Sequence, residues 1–394
     1  MSCIKMYLDT PECLRTKAVV VSCKKSKEDG WDVETDRTPL FPEGGGQRSD
    51  KGTMNGTKIL HCFEENGTVY HRTDAPFEVG CEVEIQVDAF LRRRYTQQHT
   101  GEHLLSYCYM YLFGAMNIGF HMSEDFVTID LDRMLTEEEI EKGEALANEM
   151  VWSDLPVRIY TVNGEEMQAL PLRKKNEKLT EGIRIVEIGG REYCTCCGTH
   201  FASTAQVGII KVLEHIKYKQ GCRITFACGE LAMQWFKTEN KELRRTAAML
   251  SVKPEGVFEA LQHKEEQTAQ LHSRLRQKNA LLADLYTEQL KKSVHPGESC
   301  RIAAGYAPVD GDAAKRIADQ LCKDGDVLAV VFFDEGERCR YFCMAGDTCP
   351  VSCRDIAQKL NGMLNAKGGG NPKTAQGSFA KVTEEALQNV INGL

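Results

Sequence analysis

An α+β, multidomain protein is the fold class this sequence predicts, and three observations predict it. The 394 residues carry 42% apolar, 8% aromatic and 27% charged side chains, which is ordinary globular composition and excludes a disordered, collagen-like or coiled-coil-only chain. Short β-prone runs broken by Gly and Asn turns fill the first 87 residues, and helical periodicity is mixed with strand alternation beyond Asp88. From Glu230 to about Val294 almost no strand signal remains. At roughly 100 to 200 residues per domain the length suffices for two to four domains.

Taken in order, residues 1–87 read as a small N-terminal β-barrel with strands at 18–23, 58–63, 68–72 and 83–87. Residues 88–228 read as an α+β domain. In it Leu91, Tyr95, His99, His103 and Leu112 fall near helical spacing until Gly114, and Thr136 with Glu139 forms the capping box of a second helix ending near Trp152. Strands are expected there at 126–131, 157–162, 183–188 and 207–212. Residues 229–295 read as a helical, coiled-coil-like segment divided at Pro254. Leu261, Leu271, Leu275, Leu282 and Leu285 hold heptad-like spacing, but Lys264, Thr268 and Lys278 fall on the same seam, which favours a helical hairpin or a short homodimer contact. Residues 296–394 read as a separate C-terminal α/β domain with helices at 312–322 and 354–364, strands at 327–332 and 340–344, a glycine loop and a final helix.

The net charge of −8 is local in origin. Residues 124–154 hold eleven acidic and two basic side chains, whereas residues 237–292 hold eleven basic and eight acidic ones. A basic nucleic-acid-binding surface is therefore compatible with the acidic total. Arg274, Arg276 and Lys278 in the helical segment, with the cluster Arg92, Arg93 and Arg94, are the candidate phosphate contacts. No apolar run approaches the roughly 20 residues of a membrane span, and residues 1–13 contain no signal-peptide apolar region. The odd count of 17 cysteines fits a reducing compartment, so a cytoplasmic location without a membrane partner is expected.

Metal chemistry is the first question to ask of those cysteines. His99-Thr-Gly-Glu-His103 puts two imidazoles on one helical face, and the loop Cys194-Thr-Cys196-Cys197-Gly-Thr-His200 offers thiolates and a third imidazole, together a complete zinc set. The run Phe41-Pro-Glu-Gly44-Gly45-Gly46-Gln47 lets backbone approach a ligand closely, and Gly368, Gly369 and Gly370, flanked by Lys367 and Lys373, offer the same backbone chemistry. Cys339-x3-Cys343 with Cys349-x3-Cys353 mimics a four-cysteine site. Residues four apart on a strand lie about 13 Å from each other, too far to share an ion, so these are read as packing cysteines.

The strings FPEGGGQ, HTGEH and CCGTH, in that order, resemble the editing domain of alanyl-tRNA synthetase and its free-standing AlaX-type relatives. The segment GFHMSEDFVTIDL, residues 119–131, resembles the stretch after the first zinc helix in the editing domains of alanyl- and threonyl-tRNA synthetases. The long helices followed by GGGNPKTAQG resemble the synthetase's C-terminal region with its DHH-associated domain. The resemblance covers nearly the whole chain. It implies a zinc-dependent, trans-editing aminoacyl-tRNA deacylase that hydrolyses the ester of mischarged Ser-tRNA(Ala) or Gly-tRNA(Ala) and serves translation fidelity. The ligands of one Zn2+ would be His99, His103, Cys196 and His200. Thr100, Gln47 and Glu102 are the implied catalytic residues, with Thr100 recognising the serine hydroxyl. Gly44, Gly45, Gly46 and His121 would lie beside the substrate, and the partner would be the mischarged alanine tRNA.

Cys197 stands where the synthetase pattern has Gly, so Cys194, Cys196 and Cys197 compete as ligand, with Cys196 favoured. Nothing before Asp88 is long enough for a class II catalytic domain, so aminoacylation is not expected. Four protein ligands close a tetrahedral zinc unless it expands its coordination, and the sequence leaves catalytic and structural roles open. Two rival readings are a metalloprotease of the H-x-x-E-H type, with Glu102 as general base, and a non-catalytic tRNA-binding module with a structural zinc.

Overall fold

The structure is a computed structural model that describes residues 3–173 and 181–394. It divides into two compact units, Met1–Arg244 and Arg245–Leu394, where the sequence suggests four domains; the division falls inside the helix Gly229–Leu250. None of the described helices is long and apolar enough to cross a membrane.

In the first unit, the strands Arg15–Lys25, Trp31–Thr35, Thr68–Thr73, Thr57–Glu65, Gly52–Met54 and Glu82–Val87 pair in that order into a closed barrel. Their alternating burial sends Val20, Val33, Met54, Ile59, Val69 and Ile85 into one core, so period-2 patterning and closure leave no barrel edge unpaired. The next element is the histidine helix, Ala89–Phe113. Asp88 starts it by accepting from Leu91 N at 3.0 Å, and Gly114 ends it in the left-handed conformation. It is weakly amphipathic because its middle is buried all round: Thr96–His103 is polar apart from Gly101, yet enclosed.

That helix packs on a four-stranded antiparallel sheet ordered Ile210–Tyr218, Gly221–Cys228, Val127–Leu131, Asn117–Met122 and on the helix Glu137–Trp152, whose Thr136–Glu139 capping box is present. Tyr95, Leu104, Leu105, Tyr109, Ile129 and Phe226 fill the space between. A second antiparallel sheet, Val157–Val162, Ile183–Ile188 and Glu192–Thr195, carries the cysteine loop at its end. The strand expected at 207–212 begins only at Ile210, because Thr204–Val207 is a 3-10 turn and Gly208 breaks the extension.

The second unit contains the helix Val257–Lys292 and a six-stranded sheet ordered His295–Pro296, Arg301–Tyr306, Val327–Glu335, Arg338–Ala345, Thr374–Ala380 and Lys367–Gly370. Val327–Phe333 is apolar throughout because both sheet faces are covered. Gly311–Leu321 and the end of the long helix lie on one face, Cys353–Leu364 and Glu384–Asn392 on the other. Leu261, Leu271, Leu275 and Leu285 are exposed on the long helix, and Leu282 is partly buried against the sheet layer. The expected glycine loop is an edge strand instead: Gly368, Gly369 and Gly370 pair with Gly377, Gln376 and Ala375, and the turn falls at Asn371–Lys373.

Candidate metal centre

His99 and His103 lie one turn apart on the buried face of the histidine helix, and the loop after Glu192–Thr195 brings Cys196 and His200 against them. One ligand atom from each of the four lies within 4.8 Å of the others. Cys196 Sγ is 3.3 Å from both His99 Nε2 and His200 Nε2, and the rings of His103 and His200 are 4.6 Å apart. Burial pushes the imidazoles down, His99 to about 4 and His103 to about 3, so all three histidines are neutral donors. The same burial pushes the Cys196 thiol up to about 12, a position that only a cation would reverse. Three neutral imidazole nitrogens and a sulfur around one point suit a tetrahedral, borderline-soft ion, so the residues fit zinc.

The outer nitrogens of two ligands are fixed by neighbours. His99 Nδ1 is 2.7 Å from Gln47 Oε1, which also accepts from Thr199 N at 3.1 Å, while Gln47 Nε2 donates to Thr199 Oγ1 at 3.0 Å. Thr96 Oγ1 lies 2.9 Å from the same Thr199 hydroxyl. Thr100 Oγ1 is 3.2 Å from His200 Nδ1. Each contact commits Nδ1 outward and leaves Nε2 facing Cys196.

Gln47 reaches this position from the barrel through a two-residue turn. Gly45 and Gly46 have φ of +58° and +84°, closed by Gly44 N to Gln47 O at 3.1 Å and Gln47 N to Gly44 O at 3.0 Å. Phe120 packs over His99 with centroids 5.2 Å apart. Gly198 allows the cysteine loop to cross the His99 ring, which a Cβ there would overlap.

Glu102 points to the opposite side of the cluster. Its Oε1 accepts from Ser106 Oγ and Asn117 Nδ2, each at 2.6 Å, and Oε2 is 3.8 Å from His103 Nε2. Burial alone would raise its pKa, but Arg173, 3.9 Å away, together with the Ser106 hydroxyl and the neighbouring histidines holds it below the usual carboxylate range.

The other expected residues fall in several places. Gly44 and Gly45 are exposed beside the cluster, and His121 is exposed next to Phe120 on the strand Asn117–Met122. Thr100 and Gln47 are fully enclosed behind the ligands, so their hydroxyl and amide face histidines and not a cavity. Cys194 is buried on the Arg173 side and Cys197 is exposed.

The arginine cluster splits three ways. Arg92 is a structural ion, contrary to its expected phosphate role: it is 3% exposed, pairs with Asp50 and donates to Pro11 O at 2.6 Å and Pro39 O at 2.5 Å. Arg94 donates to Glu230 Oε2 at 2.6 Å and stacks over Phe90, while Arg93 is exposed. Arg274, Arg276 and Lys278 are exposed on Val257–Lys292, and Gly368–Gly370 is exposed at its sheet edge.

Sequence reasoning missed Thr96, Thr199, Arg173, Glu192, Ser106 and Asn117. Ser106 stands four residues from Glu102 on one helix, a spacing that could have found it, whereas the side-chain partners of the others lie 11 to 152 residues away.

Comparison with known proteins matches residues 183–225 to the threonyl and alanyl tRNA synthetase second additional domain, a stretch that holds Cys196 and His200. An alanyl-tRNA editing protein AlaX-L of Pyrococcus horikoshii is 30% identical over 410 residues, covering 99% of this chain and 98% of that one. Alanyl-tRNA editing protein Aarsd1 of Mus musculus is 26% identical, covering 92% of this chain and 88% of that one. The alanine–tRNA ligase of Methanopyrus kandleri is 29% identical over 98% of this chain, which spans only 44% of the ligase. Matched end to end by a free-standing editing protein, and with its histidine helix and cysteine loop closing on one point, the chain belongs to the AlaX-type alanyl-tRNA editing family.

Proposed function

We propose that the protein is a trans-editing aminoacyl-tRNA deacylase that hydrolyses the ester of Ser-tRNA(Ala) or Gly-tRNA(Ala) at a single zinc held by His99, His103, Cys196 and His200. The observation that carries this reading is the convergence of four ligand atoms within 4.8 Å, from a helix and a loop 97 residues apart, in a member of an alanyl-tRNA editing family. The need is physical: a pocket sized for alanine cannot strongly reject an isostere that merely adds a hydroxyl, so a hydrolytic site must remove the error.

Bound zinc would supply Lewis acidity toward the ester and a lowered pKa to any water it holds. The chain's own groups then divide the work. Gln47 and Thr100 act as positioning residues that aim His99 and His200. Glu102, ionised and with Oε1 occupied by Ser106 and Asn117, presents Oε2 as an acceptor 3.8 Å from His103 Nε2. The exposed Gly44–Gly45 turn and His121 are assigned to the terminal adenosine and the ester, where backbone can approach closely. Arg93, Arg274, Arg276 and Lys278 are assigned to the tRNA backbone, in a cytoplasmic setting.

The test is deacylation of Ser-, Gly- and Ala-charged alanine tRNA together with metal analysis. Wild type should carry about one zinc per chain and clear Ser or Gly while sparing Ala. His103→Ala and Cys196→Ala should lose both metal and turnover, and Cys197→Ala should keep both. Full activity in metal-free protein would sink the zinc reading, and three untouched esters would sink the deacylase.

A further inference from the structure

A second group of metal-capable side chains adjoins the first: His103, Glu192 and Cys194, all buried, with ligand atoms within 4.8 Å of one another. A cation already occupies their neighbourhood. Arg173 Nε donates to Glu192 Oε1 at 2.8 Å, and its terminal nitrogen Nη2 lies 4.0 Å from Cys194 Sγ and 3.9 Å from Glu102 Oε1. Its side chain is 4% exposed, and its backbone N donates to Tyr193 O at 2.9 Å, which ties it to the strand that carries Glu192. A guanidinium set between two buried carboxylates supplies the charge a second ion would bring, so this group is not a second metal site.

One atom there is left over. His103 Nδ1 is buried without a hydrogen-bond partner and lies 3.7 Å from Glu192 Oε1. A buried donor left unpaired costs about 1 to 3 kcal/mol, so a carboxylate held in front of it is a partner one small ring movement away. The other two histidines already have such partners in Gln47 and Thr100.

We propose that Glu192, fixed by Arg173, is the positioning residue for His103. In the metal-loaded protein Nδ1–H donates to Glu192 Oε1, and Nε2 is presented to the ion beside Nε2 of His99 and His200. The inference rests on the metal centre of the preceding reading. It adds that the three imidazoles are aimed by three unlike acceptors, an amide, a hydroxyl and a carboxylate. Of the three only a carboxylate can carry charge, which burial disfavours and the Arg173 guanidinium favours, and as the carboxylate it raises the basicity of its histidine most.

The experiment uses the full chain and reads zinc affinity by chelator competition, with the visible spectrum of the cobalt-substituted protein. Glu192→Ala should weaken zinc roughly 10- to 100-fold and alter the cobalt d–d bands, and Glu192→Gln, which keeps an acceptor without the charge, should fall between it and wild type. Either single change leaves Arg173 facing Glu102 Oε1, 3.9 Å away, so no buried charge is stranded, and the near-isosteric Glu192→Gln provides the folding control. A Glu192→Ala variant that is folded by circular dichroism and binds zinc with wild-type affinity and an unchanged cobalt spectrum would overturn the proposal. So would two tightly bound zinc ions per wild-type chain. Wild-type protein that takes up neither ion would overturn the metal centre itself, an outcome distinct from the first two.

Discussion

Gln47 and His99 are 52 residues apart and meet at 2.7 Å, so the glycine turn of the barrel contributes to the candidate metal centre through one amide. Gln47→Ala removes the acceptor of His99 Nδ1–H and also strands Thr199, whose N and Oγ1 bond the same amide. Zinc affinity should fall roughly 10- to 100-fold in chelator competition, as for other second-layer partners of metal histidines. Thr100→Val keeps shape and loses only the hydroxyl at His200. That bond is worth about 0.5 to 1.5 kcal/mol net, so the expected weakening is about tenfold or less. The two readouts separate the roles assigned to Thr100: a changed Ser-over-Gly ratio at unchanged metal affinity would return it to substrate recognition. The four converging candidate ligands were legible because i, i+4 histidines and a Cys-x3-His loop are local patterns. Glu192 and Arg173 were not, since their relation to His103 exists only once the helix has docked on the Val157–Thr195 sheet.

Between elements, the histidine helix is held to the barrel by an ion pair in a dry place. Arg92 on the helix is 3% exposed, Asp50 is fully buried, and the guanidinium also satisfies two carbonyls, of Pro11 and Pro39. Removing one partner leaves the other charge uncompensated, so Arg92→Ala should destabilise the first unit by about 3 to 5 kcal/mol, measured by urea unfolding or by lost amide protection in the barrel strands. Arg93→Ala, one residue on and exposed, should stay within about 0.5 kcal/mol of wild type. Equal losses in the two variants would mean that the pair contributes no more than a surface contact. The sequence presents three equal arginines, and only the turn of a helix against a barrel tells them apart. The strand at Lys367–Gly370 is a similar case: a glycine triplet reads locally as a loop, and its extended form depends on pairing with Thr374–Ala380. By contrast the Thr136–Glu139 capping box, the Gly114 stop and four of the six barrel strands are local signals and were legible, while the short barrel strands Trp31–Thr35 and Gly52–Met54 were not among those expected.

At the scale of the whole molecule, the candidate metal ligands all lie in Met1–Arg244, whereas Arg274, Arg276 and Lys278 lie in Arg245–Leu394. A net charge of −8 conceals this, since the acidic excess is confined to residues 124–154. If the second unit captures tRNA and the first performs the chemistry, charge reversal at Arg274, Arg276 and Lys278 should weaken tRNA binding and leave turnover at saturating charged tRNA unchanged. Every phosphate that is no longer neutralised should flatten the salt dependence of binding by roughly 0.9 in the logarithmic slope on duplex. The three side chains are exposed, so the substitutions should not unfold the helix. Their neighbours Leu271 and Leu275 are exposed as well, and sedimentation of each variant checks that any homodimer contact along this helix is intact. Folded variants of wild-type oligomeric state with an unchanged salt slope would make the helix a scaffold. The phosphate-binding role would then fall to Arg93, the exposed member of its cluster, and Arg93→Glu should carry the loss instead.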